Sequence, residues 1–352
     1  MDRRNALKMM GTLLAGTALS TASFGIVTSC SSKKRPKRIV FFFSGTGNSL
    51  YVARQIAGEG NEPLSIAQEI HNANPVYEAD EIGIVYPVYA HMAPAIVQDF
   101  LAKAEFKADY LFTVATYGAR HGGAAELWDN FSKSKGYAFN YINTIEMVDN
   151  YLPVFDMNEQ KAMDKHIPEN LEKIVADINA RVAYIQPATA DDRQMHEGFM
   201  QMTGMDRQKP FLLLAQNQFT VTDACIACGI CTTVCPHKSW HVEDKAIPEG
   251  TCETCYACIH ACPQKAIKLR QPEGQPWPAE RNPEARYRNE HVTPERHRQG
   301  QRPEVEHFHI LLKSADRIEL PAGFFHCVSN YSFSAKNWQI FAVILSTYSL
   351  TK

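Results

Sequence analysis

The amino-acid sequence predicts an α/β protein, in which a doubly wound parallel sheet is followed by a small α+β domain. Two observations indicate the sheet: short apolar runs alternate with segments of helical apolar spacing, and a glycine- and hydroxyl-rich loop follows the first run. The small domain is indicated by the cysteines, since eight of the ten lie between Cys225 and Cys262. Such crowding requires a local explanation rather than a general disulfide scaffold.

The overall composition is that of a globular protein. The chain has 352 residues, of which 45% are hydrophobic, and this suffices for two domains with a real core. Its net charge is −2. A chain this close to neutral gives no reason to expect nucleic acid as a partner.

Residues 1–30 have the pattern of an export signal. Arg3, Arg4 and Lys8 precede an uncharged stretch of small and apolar residues from Met9 to Val27. A positive start and an apolar middle are typical of a signal peptide, and the stretch is too weakly hydrophobic for a membrane span. The order of residues around the two arginines resembles a twin-arginine export signal. An ordinary secretory signal is the alternative.

The end of this signal resembles a bacterial lipobox, with the order Val27, Thr28, Ser29 and Cys30. The resemblance implies that Cys30 becomes the mature N-terminus and carries a lipid, which anchors the protein to a bacterial membrane facing the periplasm. Residues 31–36 would then form a short polar tether. The alternative is a free cysteine after an ordinary cleavage site.

A phosphate-binding loop is predicted after the first strand. The apolar run from Arg38 to Phe43 predicts a buried parallel strand, and the spacing from Leu50 to Ala57 predicts a helix. A loop between a strand end and a helix start binds phosphate, because bare amide groups and the positive helix end point at one spot. Its residues are Ser44, Gly45, Thr46, Gly47, Asn48 and Ser49.

The composition of this loop indicates which phosphate it suits. It has no lysine, so it is not a nucleoside-triphosphate loop, and it lacks the dinucleotide pattern G-x-G-x-x-G. Hydroxyl-rich loops without a cation suit a single terminal phosphate, as on FMN. The six residues resemble the loop S/T-x-T-G-x-S/T of flavodoxins and fit it at every defined position. A plain glycine-rich turn is the alternative.

Later elements continue the alternation of strands and helices. Strands are predicted from Glu81 to Tyr86, Tyr110 to Ala115 and Tyr137 to Val148, and helices from Ala93 to Leu101 and Ala124 to Phe131. Ligands of such sheets bind beyond the carboxyl ends of the strands. The resemblance to flavodoxins implies that two further loops there enclose the isoalloxazine ring. Their residues are Pro87, Val88 and Tyr89 in one loop, and Thr116, Tyr117 and Gly118 in the other.

Tyr89 is the predicted stacking residue for the flavin ring, with Thr116, Tyr117 and Gly118 on the far side. An aromatic face offers a large contact area at a small entropic cost. The alternative is a surface tyrosine that packs on Pro87 or Pro94.

The segment 151–216 is predicted to be a helical connector. One amphipathic helix is indicated, and we expect it to pack against the sheet domain. Its marker residues are Leu171, Ile174, Val175, Ile178 and Val182. No catalytic constellation is apparent in this segment.

The eight crowded cysteines form two runs of C-x2-C-x2-C-x3-C-P, which is the spacing of bacterial ferredoxins with two 4Fe-4S clusters. Each tight C-x-x-C-x-x-C turn supplies three thiolates, and the fourth comes from the other run. The first cluster is therefore assigned to Cys225, Cys228, Cys231 and Cys262. The second is assigned to Cys252, Cys255, Cys258 and Cys235.

The resemblance between the two runs extends beyond the cysteines. An offset of 27 residues also places Trp240 to Val242 onto Ile267 to Leu269, and a short strand is predicted in each half. Two other uses of cysteine were weighed. Zinc usually takes separated ligand pairs, and adjacent C-x-x-C loops leave little room for four disulfides in an exported protein. A twin-arginine route carries folded proteins and so fits cluster assembly before export.

Taken together, the chain resembles a family of flavodoxin–ferredoxin fusion proteins, roughly over residues 37–290. The predicted boundaries are 37–150 for a flavodoxin-like FMN-binding domain, 217–272 for the two-cluster ferredoxin domain and 273–352 for an irregular or disordered tail. Beyond about residue 295 no resemblance is found, and we hypothesise an altered reading frame or a lineage-specific addition. Cys327 is assigned to no metal.

The family resemblance implies electron transfer between the two clusters, bound FMN and redox partner proteins. The first alternative is an FMN-dependent reductase of a small acceptor such as a quinone, wired by its clusters. The second is a binding module without redox function, whose clusters are structural.

Overall fold

The computed structural model describes residues 37–204, 212–271, 273–274, 276 and 278–292. The predicted signal peptide, Cys30, the tether and the part of the tail after residue 292, which contains Cys327, lie outside the described residues. No helix within the described ranges is long and apolar enough to cross a lipid bilayer.

The first part of the chain alternates strands and helices, and the predicted elements are present with ends shifted by a few residues. Four short elements were not predicted: Leu64–Ser65, Ile66–Glu69, Val76–Glu78 and Glu105–Lys107. The elements are β1 (Arg38–Phe42), α1 (Asn48–Ala57), β2 (Leu64–Ser65), α2 (Ile66–Glu69), β3 (Val76–Glu78), β4 (Glu81–Pro87), α3 (Ala95–Lys103), β5 (Glu105–Lys107), β6 (Tyr110–Tyr117), α4 (Ala124–Ser134) and β7 (Tyr141–Glu146).

The segment that follows contains both helices and strands. Its elements are α5 (Met157–Ala162), α6 (Ile167–Asn179), β8 (Tyr184–Ile185), α7 (Ala190–Thr203), β9 (Leu213–Leu214) and α8 (Ala215–Gln218). The segment 151–216, predicted as a helical connector, contains strands beside its helices, since β8 pairs in parallel with β7 and completes the main sheet.

The main sheet has the order β2-β1-β4-β6-β7-β8, and all its neighbouring strands are parallel. Its first five strands in chain order follow the arrangement 2-1-3-4-5, which is the order of doubly wound folds such as flavodoxin. The connections change direction between β1 and β4. Ligands of doubly wound sheets bind at this switch point, beyond the carboxyl ends of the strands.

Helices cover both faces of the sheet. On one face, Phe41 and Phe100 belong to an apolar cluster with Trp128, so α3 and α4 pack there. On the other face, Val40 packs with Ile56 of α1 and with the buried side of α6. Adjacent residues of β1 thus point to opposite faces, as the period of a strand requires. The predicted parallel sheet with helices on both faces is confirmed.

The predicted amphipathic helix is α6, and it packs on the sheet through Leu171, Ile174 and Ile178. The prediction that Val182 belongs to the same helix was wrong. Arg181 has φ 52, and its amide, like that of Val182, donates back to the last helical turn. This left-handed closure ends α6 at Asn179 and leaves Val182 exposed.

The cysteine-rich part is built from two similar halves. Its elements are β10 (Phe219–Val221), α9 (Ile230–Val234), β11 (Trp240–Val242), β12 (Ala246–Pro248), β13 (Thr251–Cys252), α10 (Ala257–Ala261) and β14 (Ile267–Leu269). The order β10-α9-β11 recurs 27 residues later as β12-α10-β14, and the predicted strands β11 and β14 are confirmed. The first strand of each half pairs with the last strand of the other, which relates the halves by a pseudo-twofold axis.

The described residues of the predicted tail contain no helix or strand, yet part of this segment is buried. Ala285, Tyr287, Asn289 and Val292 are all less than 7% exposed. The Asn289 amide donates to the Thr46 carbonyl over 2.9 Å, so the segment lies on the loop after β1.

Candidate functional site

The predicted phosphate loop lies between β1 and α1, at the switch point of the sheet. Gly47 has φ 102 and directly precedes α1. This left-handed conformation strains residues that have a side chain, so it explains the glycine. The Gly47 amide donates to the Ser44 hydroxyl over 3.0 Å, which closes the loop on itself.

The hydroxyl groups of the loop keep O–H donors available. Ser44 accepts from Gly47, and Thr46 accepts from the Asn150 side chain over 2.7 Å, so neither O–H is used in these bonds. Ser49 and Thr116 share one hydrogen bond of 2.8 Å, which leaves the O–H of one of them. Uncommitted donors around one loop, without a cation, fit a terminal phosphate group.

The side chain of Asn48 was predicted to donate to a phosphate, and in the structure it forms three hydrogen bonds within the chain. Its amide nitrogen donates to the Val148 carbonyl over 2.9 Å. Its amide oxygen accepts from the Tyr287 hydroxyl over 2.5 Å and from the Asn289 side chain over 3.2 Å. The side chain of Asn48 therefore joins the loop to the segment after the cysteine-rich part. The sequence carried no periodic signal that pointed to Tyr287 or Asn289.

A large cavity opens beside this loop, with a volume of about 1280 Å³. All predicted flavin contacts except Gly47 line it, so the structure brings together three loops that are far apart in the sequence. These residues are Ser44, Gly45, Thr46, Asn48, Ser49, Pro87, Val88, Tyr89, Thr116, Tyr117 and Gly118. Glu253, Thr254 and Tyr256 of the second cysteine run line the same cavity.

Gly45 is a point of close approach between the loop after β1 and the second cysteine run. A β-carbon on Gly45 would stand 2.7 Å from the Cys255 carbonyl oxygen and 3.1 Å from the Tyr89 hydroxyl oxygen. Real β-carbons do not approach a backbone oxygen that closely. Glycine is therefore required by space at this position.

Tyr89 lies between the cavity and the cysteines. Its ring contacts Phe43 edge-on, with 6.4 Å between the ring centroids. Its hydroxyl oxygen is buried and has no hydrogen-bond partner among the described residues. A surface tyrosine would not bury its hydroxyl, so that alternative does not describe Tyr89. Stacking of its ring on a flavin stays a prediction.

The two cysteine runs differ in exposure. All eight cysteines of the runs are free thiols. In the first run, Cys228 is exposed and Cys225 is partly buried, whereas Cys252, Cys255 and Cys258 of the second run are all buried. The second run is therefore buried, whereas the first run reaches the surface at Cys228 and buries Cys231.

Cys235 lies near the cysteines of the second run, as its electrostatic effect on their thiols shows. Burial raises the pKa of the Cys255 and Cys258 thiols well above its ordinary value, and the neighbouring Cys235 raises it further. Burial also raises the pKa of Cys252 to about 11, again with a contribution from Cys235. Four thiols in one buried group lose their protons only when positive charge compensates them, and bound iron supplies such charge. This donor set fits an iron–sulfur cluster.

Backbone amides donate to the cysteine sulfurs at equivalent places in both halves. The Ser239 amide donates to Cys235 Sγ over 3.3 Å, and the Ala266 amide donates to Cys262 Sγ over 3.2 Å. The two bonds are related by the same 27-residue offset. Hydrogen bonds to sulfur are among the levers that set the potential of a cluster.

The backbone itself repeats in the two halves. Left-handed φ values occur at three pairs of positions with this offset: Ala227 and Thr254 (51 and 55), Gly229 and Tyr256 (75 and 54), and Lys238 and Lys265 (56 and 50). Such values are uncommon for residues with side chains, and rarer still for a β-branched one. Their repetition shows that the second half has the loop geometry of the first.

The described residues contain no three His, Cys, Asp or Glu side chains close enough to hold one metal ion. The thiols that bind a 4Fe-4S cluster surround a cube of iron and sulfide, so they stand farther apart than the ligands of a single ion.

One buried acidic residue of the site was missed by the sequence analysis. Glu253 is 3% exposed, and its carboxylate accepts from the Ala95 amide over 2.5 Å. Its other oxygen lies 2.5 Å from His237 Nε2. Glu253 therefore connects the second cysteine run, the start of α3 and the residue after Pro236. A charged residue inside a cysteine motif was the available signal.

Comparisons with known proteins agree with the first half of the cysteine-rich part. Residues 220–239 match the family described as 4Fe-4S binding domain. No curated protein matches the chain. A solved structure from Bacteroides uniformis, described as a flavoprotein, is 16% identical and aligns over 41% of this chain and 99% of its own, with a TM-score of 0.29. A likeness at that TM-score carries no argument about this chain.

The chain therefore contains a 4Fe-4S binding domain that follows a large parallel sheet with helices on both faces. A domain of this class indicates iron–sulfur electron transfer.

Proposed function

We propose that this protein transfers electrons between two 4Fe-4S clusters and an FMN bound in the cavity. One observation carries the proposal: a single cavity is lined both by the three predicted flavin loops and by the second cysteine run, with Gly45 against Cys255. When bound, the clusters transfer single electrons, and FMN accepts one or two. The protein places these groups next to each other.

The second cluster would be held by Cys252, Cys255, Cys258 and Cys235, and the electrostatic effect of Cys235 on the other three supports this set. The pseudo-twofold relation supports the reciprocal set for the first cluster. That set consists of Cys225, Cys228, Cys231 and Cys262.

The exposure of the two cysteine runs indicates which run contacts partner proteins and which connects to the flavin. Cys228 is exposed, and the neighbouring Ile226 is 60% exposed, so the first run offers a redox partner protein a surface with a small apolar contact. The buried second run lies against the cavity. This order makes the first run the contact for partners and the second run the connection to the flavin.

The phosphate of FMN would be held by the O–H groups of Ser44, Thr46 and one of the pair Ser49 and Thr116. The positive end of the α1 dipole favours negative charge at the same place. Pro87, Val88 and Tyr89 would lie on one side of the flavin ring, with Thr116, Tyr117 and Gly118 on the other.

A second candidate is an FMN-dependent reductase of a small acceptor such as a quinone. The size of the cavity favours it, because the wall continues past the predicted flavin loops to Phe155, Phe199 and Met202. Apolar and aromatic walls are typical of pockets for small organic ligands. Turnover of purified acceptors by the reduced protein would distinguish a reductase from a carrier.

We also propose that the protein is exported and anchored through a lipid on Cys30. The support is the sequence of residues 1–30 alone. Fractionation of cells that express the wild type and a Cys30→Ala variant tests it. The wild type should sediment with membranes and the variant should not. An identical distribution of both would count against the anchor.

The composition of the purified protein tests the main proposal. Anaerobic preparation should yield about eight irons, eight sulfides and one FMN per chain, as two four-iron clusters require. Eight irons without flavin would leave a ferredoxin whose loop is a structural turn. Four irons would reduce the proposal to one cluster, and zinc in place of iron would overturn it.

A further inference from the structure

The Tyr89 hydroxyl is a buried polar group that the proposed function does not yet use. Its oxygen exposes less than 1 Å² and has no hydrogen-bond partner among the described residues. Buried hydroxyl groups are rarely left without a partner, because their desolvation is then uncompensated. The hydroxyl is therefore free to donate to a group that is added to the folded chain, and its surroundings decide whether such a group lies within reach.

The position of this hydroxyl identifies the neighbouring group. The Tyr89 hydroxyl oxygen and the Cys255 Cβ both lie within 3.4 Å of the point where a β-carbon on Gly45 would stand. The hydroxyl therefore lies beside the second cysteine run. Tyr89 is also one of the residues that line the cavity.

Other polar neighbours already have partners. Cys255, Glu253, Tyr256 and Cys252 are the ionisable groups that act on Tyr89. The Glu253 carboxylate accepts from Ala95 and contacts His237, and Tyr256 forms a hydrogen bond with Tyr151.

Cysteine sulfurs are the remaining candidates. Cys252 Sγ lies 3.3 Å from the Thr254 amide, which donates to it, and the Ala257 amide donates to Cys255. No cysteine sulfur of the described residues accepts from the Tyr89 hydroxyl. Because Cys255 shares the contact with Gly45, the acceptor that fits is a sulfide that the second cluster itself would bring beside Cys255.

We propose that the Tyr89 hydroxyl donates a hydrogen bond to a sulfide of the second cluster, beside Cys255, and thereby raises the reduction potential of that cluster. Reduction adds negative charge to the sulfurs, and a donor to sulfur stabilises the reduced form more than the oxidised form. Tyr89 is then a positioning residue that borders the flavin site with its ring and the cluster with its hydroxyl. The inference rests on the proposed function, since it requires the second cluster.

Removal of this one oxygen tests the inference. In Tyr89→Phe, the ratio of oxidised to reduced second cluster should rise about tenfold at a fixed solution potential, which corresponds to a midpoint about 59 mV lower. The midpoints of both clusters are measured by potentiometric titration with EPR detection. A Cys228→Ser variant, altered at an exposed ligand of the first cluster, identifies the signal of that cluster.

Tyr86→Phe is the matched control. Tyr86 is fully buried, and its hydroxyl also has no partner among the described residues. Tyr86 differs from Tyr89 in that no cysteine acts on it electrostatically. We expect both midpoints of this variant to equal those of the wild type. Pulsed EPR in D2O adds a second readout, since Tyr89→Phe should lose one exchangeable proton near the second cluster.

Each remaining outcome decides against the inference in a recognisable way. Wild-type midpoints in a Tyr89→Phe protein that keeps both clusters and flavin would overturn it and leave the proposed function intact. Loss of flavin at an unchanged midpoint would make the hydroxyl a flavin contact instead. Equal shifts in both tyrosine variants would reduce the effect to general packing. A wild-type protein without a second cluster would overturn both proposals.

Discussion

The backbone carbonyl of Cys255 packs against Gly45. A β-carbon on Gly45 would stand 2.7 Å from the Cys255 carbonyl oxygen. This contact joins residues that are 210 positions apart in the chain and brings the second cysteine run onto the loop after β1. The φ angle of Gly45 is not in the left-handed region. Space alone therefore requires a glycine there.

Gly45→Ala should lower the thermal midpoint, because the added methyl group must displace backbone. Overpacking of this kind costs about 1–3 kcal/mol. Gly198→Ala is the control, since Gly198 lies in α7 with no atom within 4 Å of an added β-carbon. This variant should be neutral or slightly more stable. Similar midpoints for both variants would contradict the close approach.

The exchange of fourth ligands can be tested with single substitutions. Cys235 is the last cysteine of the first run in sequence but lies with Cys252, Cys255 and Cys258. Cys235→Ser should therefore alter the EPR signal of the same cluster as Cys252→Ser. Cys228→Ser should alter the other signal. A shared signal for Cys235→Ser and Cys228→Ser would show that each run binds its own cluster.

Removal of a free hydroxyl from the loop should weaken FMN binding. Ser44→Ala removes an O–H that is available for phosphate, and a hydrogen bond to a charged group contributes about 1.5–3 kcal/mol. The dissociation constant of FMN should therefore rise roughly tenfold to a hundredfold in a fluorescence titration of apoprotein. Ser132→Ala is the control, because Ser132 is buried but bonds to Asp129 at the end of α4. Equal affinities of the two variants for FMN would show that the loop is a structural turn and does not bind the phosphate.

The protein should become less stable in mild acid, because the unfolded chain binds a proton at His91 more readily than the folded chain does. Burial, together with the nearby His196 and His121, lowers the pKa of His91 from its usual 6.5 to about 4; Asp192 opposes and Arg120 adds to this effect. The unfolded chain therefore binds a proton at a higher pH than the folded chain does. The contribution of neutral His91 to stability is present above pH 6.5 and is lost as the pH falls towards 4.

Replacement of His91 isolates this contribution. His91 has φ 67, a conformation that asparagine tolerates, so His91→Asn removes the titrating group with little backbone strain. Its thermal midpoint should fall less than that of the wild type between pH 6.5 and 4. His166→Asn is the control, since His166 also has a positive φ of 48 but an exposed side chain. Parallel pH profiles of His91→Asn and wild type would contradict the prediction.

The pattern of residues along the chain predicted most of the sheet domain and the cysteine repeat. Strands and helices from Arg38 to Glu146 follow apolar periodicity, and the halves around the two cysteine runs follow a repeat of residue types. Features without such a signal were missed. The left-handed closure after α6 and the short strand β8 depend on a few residues whose types fit several structures, so Val182 was placed in the wrong element.

The same distinction holds for the site. The spacing of the cysteines and the order of glycines and hydroxyls determined, by themselves, which residues have the chemistry to hold clusters and a phosphate, because ligand geometry and loop conformation depend on residues close in sequence. Only the tertiary structure decided that Cys255 lies against Gly45, that Cys228 is exposed, and that Asn48 bonds to Tyr287. These relationships join distant segments and arise from the packing of the whole chain, which no local pattern encodes.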